Sequence, residues 1–261
     1  MDGFQPKTDV IVVGYPKSGN TWVVRLIAEL LQCPVKGFWH ASHEEIATEG
    51  LDRESPFQCW KAHHQFYELD LNKRQTDSVK IIYVVRDPRD IVVSAANYFW
   101  IEPRFPLLHK LLIHLPCGLR FYYRFIMTSG YRKRVMTRTV LKGRYATHPW
   151  CRIPWKKHVI SYREVDAFTV RYEDLLERSE DICRDILLYL GTDRSAEQIR
   201  AAIDKQSFAK RRARAQEKGQ VDDIAHLRAG KQGQWRRELS WIQRARLQSR
   251  LRKTLHALGY N

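Results

Sequence analysis

A single α/β domain, with a central parallel sheet flanked by helices, is the fold predicted by three strand, loop and helix patterns along the chain. Each starts from a short apolar run rich in β-branched residues and passes through a turn into apolar positions at helical spacing. Strands that alternate with helices place their crossovers on the faces of the sheet, which makes the strands parallel. A length of 261 residues suits one such domain carrying an insertion.

The first pattern runs from Val10 to Val13, turns at Gly14, and continues into Trp22 to Leu31, where Val23, Leu26, Ile27, Leu30 and Leu31 share a helical face. The second is Ile81 to Val85, followed by the helix-start signal Asp87-Pro88-Arg89-Asp90 and a helix from Ile91 to Tyr98. The third is Ala167 to Val170, leading through Arg171 to Asp174 into one helix ending at Leu190, with Gly191 as its C-cap. Between the second and third patterns, the Phe, Tyr, Leu and Arg content of residues 103–154 predicts a basic, mostly helical insertion. Lys205 to Asp223 is polar enough to be expected as a mobile loop. Leu239, Ile242, Leu251, Leu255 and Leu258 predict a terminal helix with one apolar face.

Composition narrows the partners. An apolar share of 44% excludes disorder as the default, while a formal net charge of +16 favours anionic ligands, nucleic acid or an acidic membrane surface. Pro103 to Arg163 holds fourteen Lys or Arg and no Asp or Glu, so most of the excess sits there. The five cysteines show neither disulfide-framework nor zinc spacing, which fits a reducing compartment. No basic-then-apolar leader precedes Val10, so neither signal peptide nor anchor is expected. Leu107 to Met127 is interrupted by Lys110, His114, Pro116, Arg120 and Arg124, which is wrong for a spanning helix.

The chemistry starts in GYPKSGNTW, Gly14 to Trp22. Gly14 and Gly19 are five apart with Thr21 closing the loop, the glycine spacing of a phosphate cradle that aims backbone N–H groups at an anion. A nucleotide-triphosphate loop has its lysine directly after the second glycine; here that place is Asn20 and the lysine is Lys17. Glycine spacing alone leaves open a generic strand-to-helix turn with a surface lysine.

The whole string resembles the 5′-phosphosulfate loop of the sulfotransferases, usually Pro-Lys-Ser-Gly-Thr-Thr-Trp after the first strand. The resemblance implies that Lys17, Ser18, Gly19, Asn20 and Thr21 bind the 5′-phosphosulfate of 3′-phosphoadenosine 5′-phosphosulfate (PAPS), and that Trp22 packs against its adenine. Arg86 after the second strand and Ser94 in the next helix look like the family's 3′-phosphate pair. LRAGKQGQW, Leu227 to Trp235, resembles a further 3′-phosphate segment and carries Arg228 and Gly230 over to it, with Ala229 where the family has lysine. Tyr172 in RYEDLL and Phe208 in QSF fall at adenine-side positions, and Gln206 departs there from a common threonine.

A hydroxyl acceptor must lose its proton as the new bond to sulfur forms, which calls for a base. WKAHHQF, Trp60 to Phe66, resembles the family's Lys-x-His step: Lys61 would lie near the transferring sulfuryl group and His63 would be the base, with His64 as local competitor. WKKHV, Trp155 to Val159, echoes another family segment, so the likeness covers Met1 to Met127 and Trp155 to Asn261. By this resemblance residues 1–261 form one sulfotransferase domain of the phosphate-loop kinase-like type, using PAPS as co-substrate with Lys17, Lys61 and His63 as catalytic residues and no metal. The expected partner is a small-molecule, lipid or saccharide hydroxyl, without nucleic acid, in the cytoplasm and with peripheral membrane contact through the insertion. Two alternatives stay open: an ATP-dependent small-molecule kinase, and a basic protein that binds nucleic acid or membrane without catalysis.

Overall fold

Val10 to Val13 are wholly buried because β1 (Thr8–Val13) is the middle strand of a five-stranded sheet covered by helices on its faces. The computed structural model describes residues 7–40, 48–71, 78–99, 101, 105–144, 151–217, 219 and 230–260. The strand order is β2-β3-β1-β4-β5, with β2 Val35–Phe38, β3 Phe57–Ala62, β4 Ser78–Val85 and β5 Phe168–Arg171. Every pairing is parallel. Val13 pairs with Ala62 on one side and Tyr83 on the other, and Val85 pairs with Arg171, so the C-terminal ends of β3, β1, β4 and β5 share one edge.

The α/β architecture stands as expected. Described residues between 1–86 and 158–230 make one compact unit, containing the whole sheet, and those between 87–157 and 231–261 a second. In the first unit α1 (Asn20–Leu31) buries Val23, Val24, Leu26, Ile27, Leu30 and Leu31 in a core with Val10, Val12, Val84 and Cys59 from the sheet. None of the five cysteines is in a disulfide.

Three local expectations need correction. The single helix to Leu190 is two, α7 (Tyr172–Glu177) and α8 (Ser179–Tyr189), because Arg178 leaves helical geometry at φ −134° and ψ 47°. The expected mobile stretch from Lys205 contains α10 (Phe208–Glu217) after α9 (Ala196–Lys205), with Ala215 buried and Arg214 donating to the Lys205 carbonyl; residues 218 and 220–223 lie outside the described residues. β2 and β3 had no counterpart among the sequence patterns.

In the second unit α2 (Pro88–Tyr98) opens with Asp87 capping the Arg89 amide at 2.8 Å, and the Arg89 guanidinium returns to the same carboxylate. Asp90 accepts from the amides of Gly233 at 2.6 Å and Trp235 at 3.0 Å. Trp235 opens α11 (Trp235–Glu238), and Arg89 and Arg236 lie 4.0 and 4.6 Å from its ring centre. The basic stretch is helical as expected: α3 Pro106–Leu112, α4 Gly118–Phe121, a π-helical turn Tyr122–Ile126 and α5 Ser129–Lys142. α6 (Trp155–Ile160) carries the chain back into the first unit, and the terminal helix is α12 (Trp241–Ala257), capped by Ser240. Among the described residues no helix is long and apolar enough to cross a membrane.

Candidate active site

Four adjacent strands of the first unit end beside one another, and the residue that follows each is one that the motifs single out. His63 follows β3, Gly14 follows β1, Arg86 follows β4 and Tyr172 follows β5. Ligands of open parallel sheets bind at this edge, where the loops leave the strands.

The loop after β1 is built for close backbone approach. A Cβ at Gly14 would run into the Val84 carbonyl oxygen, and one at Gly19, where φ is +97°, would lie 2.5 Å from the Tyr172 ring. Lys17 also sits in the left-handed region, at φ 70°. Ser18 is 1% exposed and its hydroxyl has no hydrogen-bond partner among the described residues, which is costly for a buried polar atom unless a ligand meets it. Asn20 and Thr21 open the first turn of α1, which contains no acidic residue, so the positive end of the helix dipole favours an anion there. A phosphosulfate group suits this donor set.

Arg86 is 7% exposed, donates from Nη1 to the Lys17 carbonyl at 3.0 Å, and lies 4.4 Å over the Tyr172 ring. Tyr172 meets Trp22 edge to face at 5.7 Å, and the Trp22 indole N–H donates to the Gln206 carbonyl at 2.9 Å. Two residues on, Phe208 fills the space beside Gly230, whose φ of +55° and missing Cβ admit the ring. The structure thus groups Lys17, Trp22, Arg86 and Tyr172, and pairs Phe208 with Gly230. Ser94 is half-buried on α2 in the second unit, and Arg228 lies outside the described residues.

Lys61 is buried in β3 with Nζ 4.5 Å from the centre of the Phe38 ring, which also lies 5.9 Å from His63. Lys61 and His63 therefore share a neighbour, as residues two apart on extended chain do. His64 instead meets the His40 ring edge on at 6.3 Å. Asn20 Nδ2 has two hydrogens and donates to the Gly14 and Ala62 carbonyls at 2.8 and 3.2 Å. His63 Nδ1, 2.8 Å from the same Gly14 oxygen and 3.1 Å from Asn20 Nδ2, is then best assigned as an N–H donor to Gly14. That tautomer carries its lone pair on Nε2.

The sequence reading passed over a second histidine. His158 is fully buried; its Nδ1 accepts from the Tyr83 hydroxyl at 3.0 Å and its Nε2 lies 3.2 Å from the His63 carbonyl oxygen. Burial lowers its pKa to about 4, the hydrogen bond to the His63 carbonyl only partly opposing this, so the ring is neutral near pH 7. The likeness of WKKHV to a family segment marks the stretch but assigns its histidine no role.

A profile of the Sulfotransferase domain family matches residues 7–259, bounds that enclose the basic stretch. Human sulfotransferase 6B1 is 23% identical over 265 residues, covering 98% of this chain and 79% of its own length. Human sulfotransferase 2A1 is 22% identical, covering 90% of this chain and 80% of its own. Mouse sulfotransferase SULT7A1, solved with PAP, superposes with a TM-score of 0.66 at 19% identity over 95% of this chain and 85% of the other. Retinol dehydratase with androsterone and PAP gives a TM-score of 0.61 at 18% identity, over 95% and 80%. The chain belongs to the sulfotransferase family.

Proposed function

We propose that residues 1–261 act as one PAPS-dependent sulfotransferase domain, with residues 103–154 as an insertion. The observation that carries the reading is the convergence of His63, the Gly14 loop, Arg86 and Tyr172 after four neighbouring parallel strands, the loop holding a buried serine hydroxyl without a partner among the described residues. Lys17, Ser18, Gly19, Asn20 and Thr21 hold the 5′-phosphosulfate of the donor. Trp22, Tyr172 and Phe208 line its adenine, and Arg86, Ser94, Arg228 and Gly230 take its 3′-phosphate.

His63 accepts the acceptor's hydroxyl proton at Nε2. The acceptor oxygen bonds to sulfur as the bond from sulfur to the phosphate oxygen breaks, and the electron pair leaves with adenosine 3′,5′-bisphosphate. Lys17 and Lys61 offset charge on the leaving oxygen and on the sulfuryl group. The acceptor is an amphiphilic, glycolipid or saccharide hydroxyl, met in the cytoplasm at a membrane surface. The test is retention of adenosine 3′,5′-bisphosphate in the absence of magnesium, together with transfer of labelled sulfate from PAPS to a lipid-and-saccharide extract. Retention and a labelled product support the reading; ATP binding that requires magnesium, without retention of the bisphosphate, overturns it.

A further inference from the structure

We infer that residues 105–126 form a docking surface for an anionic phospholipid bilayer. Within this stretch Phe105, Leu107, Leu108, Leu111, Ile113, Leu115, Leu119, Phe121, Tyr123 and Phe125 are each between 37% and 84% exposed. Large exposed apolar side chains gathered along one segment, unlike single ones scattered over a surface, mark an interaction site. The exposure does not come from an unfolded segment. Tyr122 is fully buried, its hydroxyl accepts from the Phe105 amide at 3.3 Å and its ring meets His109 at 4.9 Å, so α3 and the π-helical turn are pinned to each other. The apolar side chains are what the pinned segment presents.

Charge selects the occupant. Lys110, Arg120 and Arg124 are exposed among the apolar residues, and Arg134, Arg138 and Lys142 are exposed at four-residue spacing along α5, on one helix face. No acidic residue occurs from Pro103 to Arg163 to neutralise them. A second copy of the chain would bring equal positive charge to the contact, and nucleic acid has no use for Leu107, Leu111, Ile113 and Leu115. Anionic headgroups above hydrocarbon match both properties at once. α3 has seven residues, so the segment lies in the interface and does not span it. The inference deepens the partner reading above and rests on it for its role in presenting a lipid-bearing acceptor.

The experiment sediments the full chain with vesicles of mixed phosphatidylglycerol and phosphatidylcholine, and with phosphatidylcholine alone. The wild type is expected to partition onto the anionic vesicles and not the neutral ones. Lys110→Glu/Arg120→Glu/Arg124→Glu is expected to lose on the order of a hundredfold in partitioning, and Leu107→Gln/Leu111→Gln/Phe125→Gln to lose it as well. Both variants are expected to bind adenosine 3′,5′-bisphosphate as the wild type does, showing that they fold. No binding to anionic vesicles overturns the inference, as does wild-type binding by the glutamine variant, or light scattering that shows a dimer dissolved by those glutamines. Competition by an oligonucleotide with no vesicle binding assigns the surface to nucleic acid instead. Vesicle binding without bisphosphate binding sinks the donor reading and leaves this one standing.

Discussion

The Nε2 of buried His158 donates to the main-chain carbonyl of His63 at 3.2 Å, and Tyr162 donates its hydroxyl to the next carbonyl, that of His64, at 2.9 Å. Tyr83 and Tyr162 stack at 4.5 Å, with Tyr15 edge on to His158 at 5.7 Å. A buried aromatic cluster thus fixes the backbone on which the proposed base sits, and that cluster contains a histidine that burial keeps neutral.

A buried neutral histidine makes stability depend on acid. Folded His158 has its pKa lowered to about 4, whereas the unfolded chain has the ordinary value of about 6.5, so between these values the unfolded state binds more protons. The contribution is complete above the unfolded value and is lost as pH falls from about 6.5 to 4, up to roughly 3 kcal/mol. Urea unfolding at stepped pH is expected to show this slope in the wild type and a shallower one in His158→Gln. Equal slopes would show that His158 is not the titrating group.

His63→Ala is expected to lower turnover by on the order of 10² to 10⁴ while leaving donor affinity nearly unchanged, because a base acts on the acceptor's proton. His64→Ala is expected to do much less, since its ring lies against His40 whereas the His63 ring shares the Phe38 ring with Lys61. Steady-state rates of the two variants decide the matter. If the His64 variant is the inactive one, the assignment is off by one residue and Lys61 loses its role too.

Arg86→Ala and Ser94→Ala are expected to weaken PAPS far more than an analogue lacking the 3′-phosphate. A charge-assisted hydrogen bond contributes about 1.5 to 3 kcal/mol, so the arginine variant is expected to lose about tenfold or more in affinity. Calorimetric titration with both ligands gives the comparison, and equal losses for the two would remove Arg86 from the 3′-phosphate.

Gly19→Ala meets two obstacles, a left-handed backbone at φ +97° and a Tyr172 ring 2.5 Å from the new Cβ. Arg86 over the ring and Trp22 at its edge restrict its escape. Lower thermal stability and weaker bisphosphate binding are expected, and adding Tyr172→Ala is expected to restore part of the stability. A fully stable Gly19→Ala protein would show that the loop does not need this close approach.

The strand, turn and helix around Gly14 were legible because their determinants are local. Val10 to Val13 is strand-like by itself, Val23 to Leu31 has helical spacing, and the glycines mark the turn. β3 was not legible as a strand, since FQCWKA has neither β-branched residues nor clean alternation; it is extended because Val10 and Ile11 of β1 pair with Cys59 and Trp60, which are distant in sequence. α10 was misread for a different reason. The polarity of AKRRARAQ suggests a loop, but its Ala, Arg, Lys and Gln are all good helix formers. His158 carried no periodic or spacing signal, because its importance comes from a carbonyl ninety-five residues away in the chain.

Lys17 holds a backbone conformation, φ 70°, that costs a non-glycine residue roughly 1–2 kcal/mol. Glycine there would relieve that strain, so a search for more stable variants would be drawn to Lys17→Gly. The same change removes the amine proposed to meet the leaving oxygen. Selection for thermal tolerance and selection for turnover therefore pull this single position in opposite directions, and a lysine that persists there marks which of the two has prevailed.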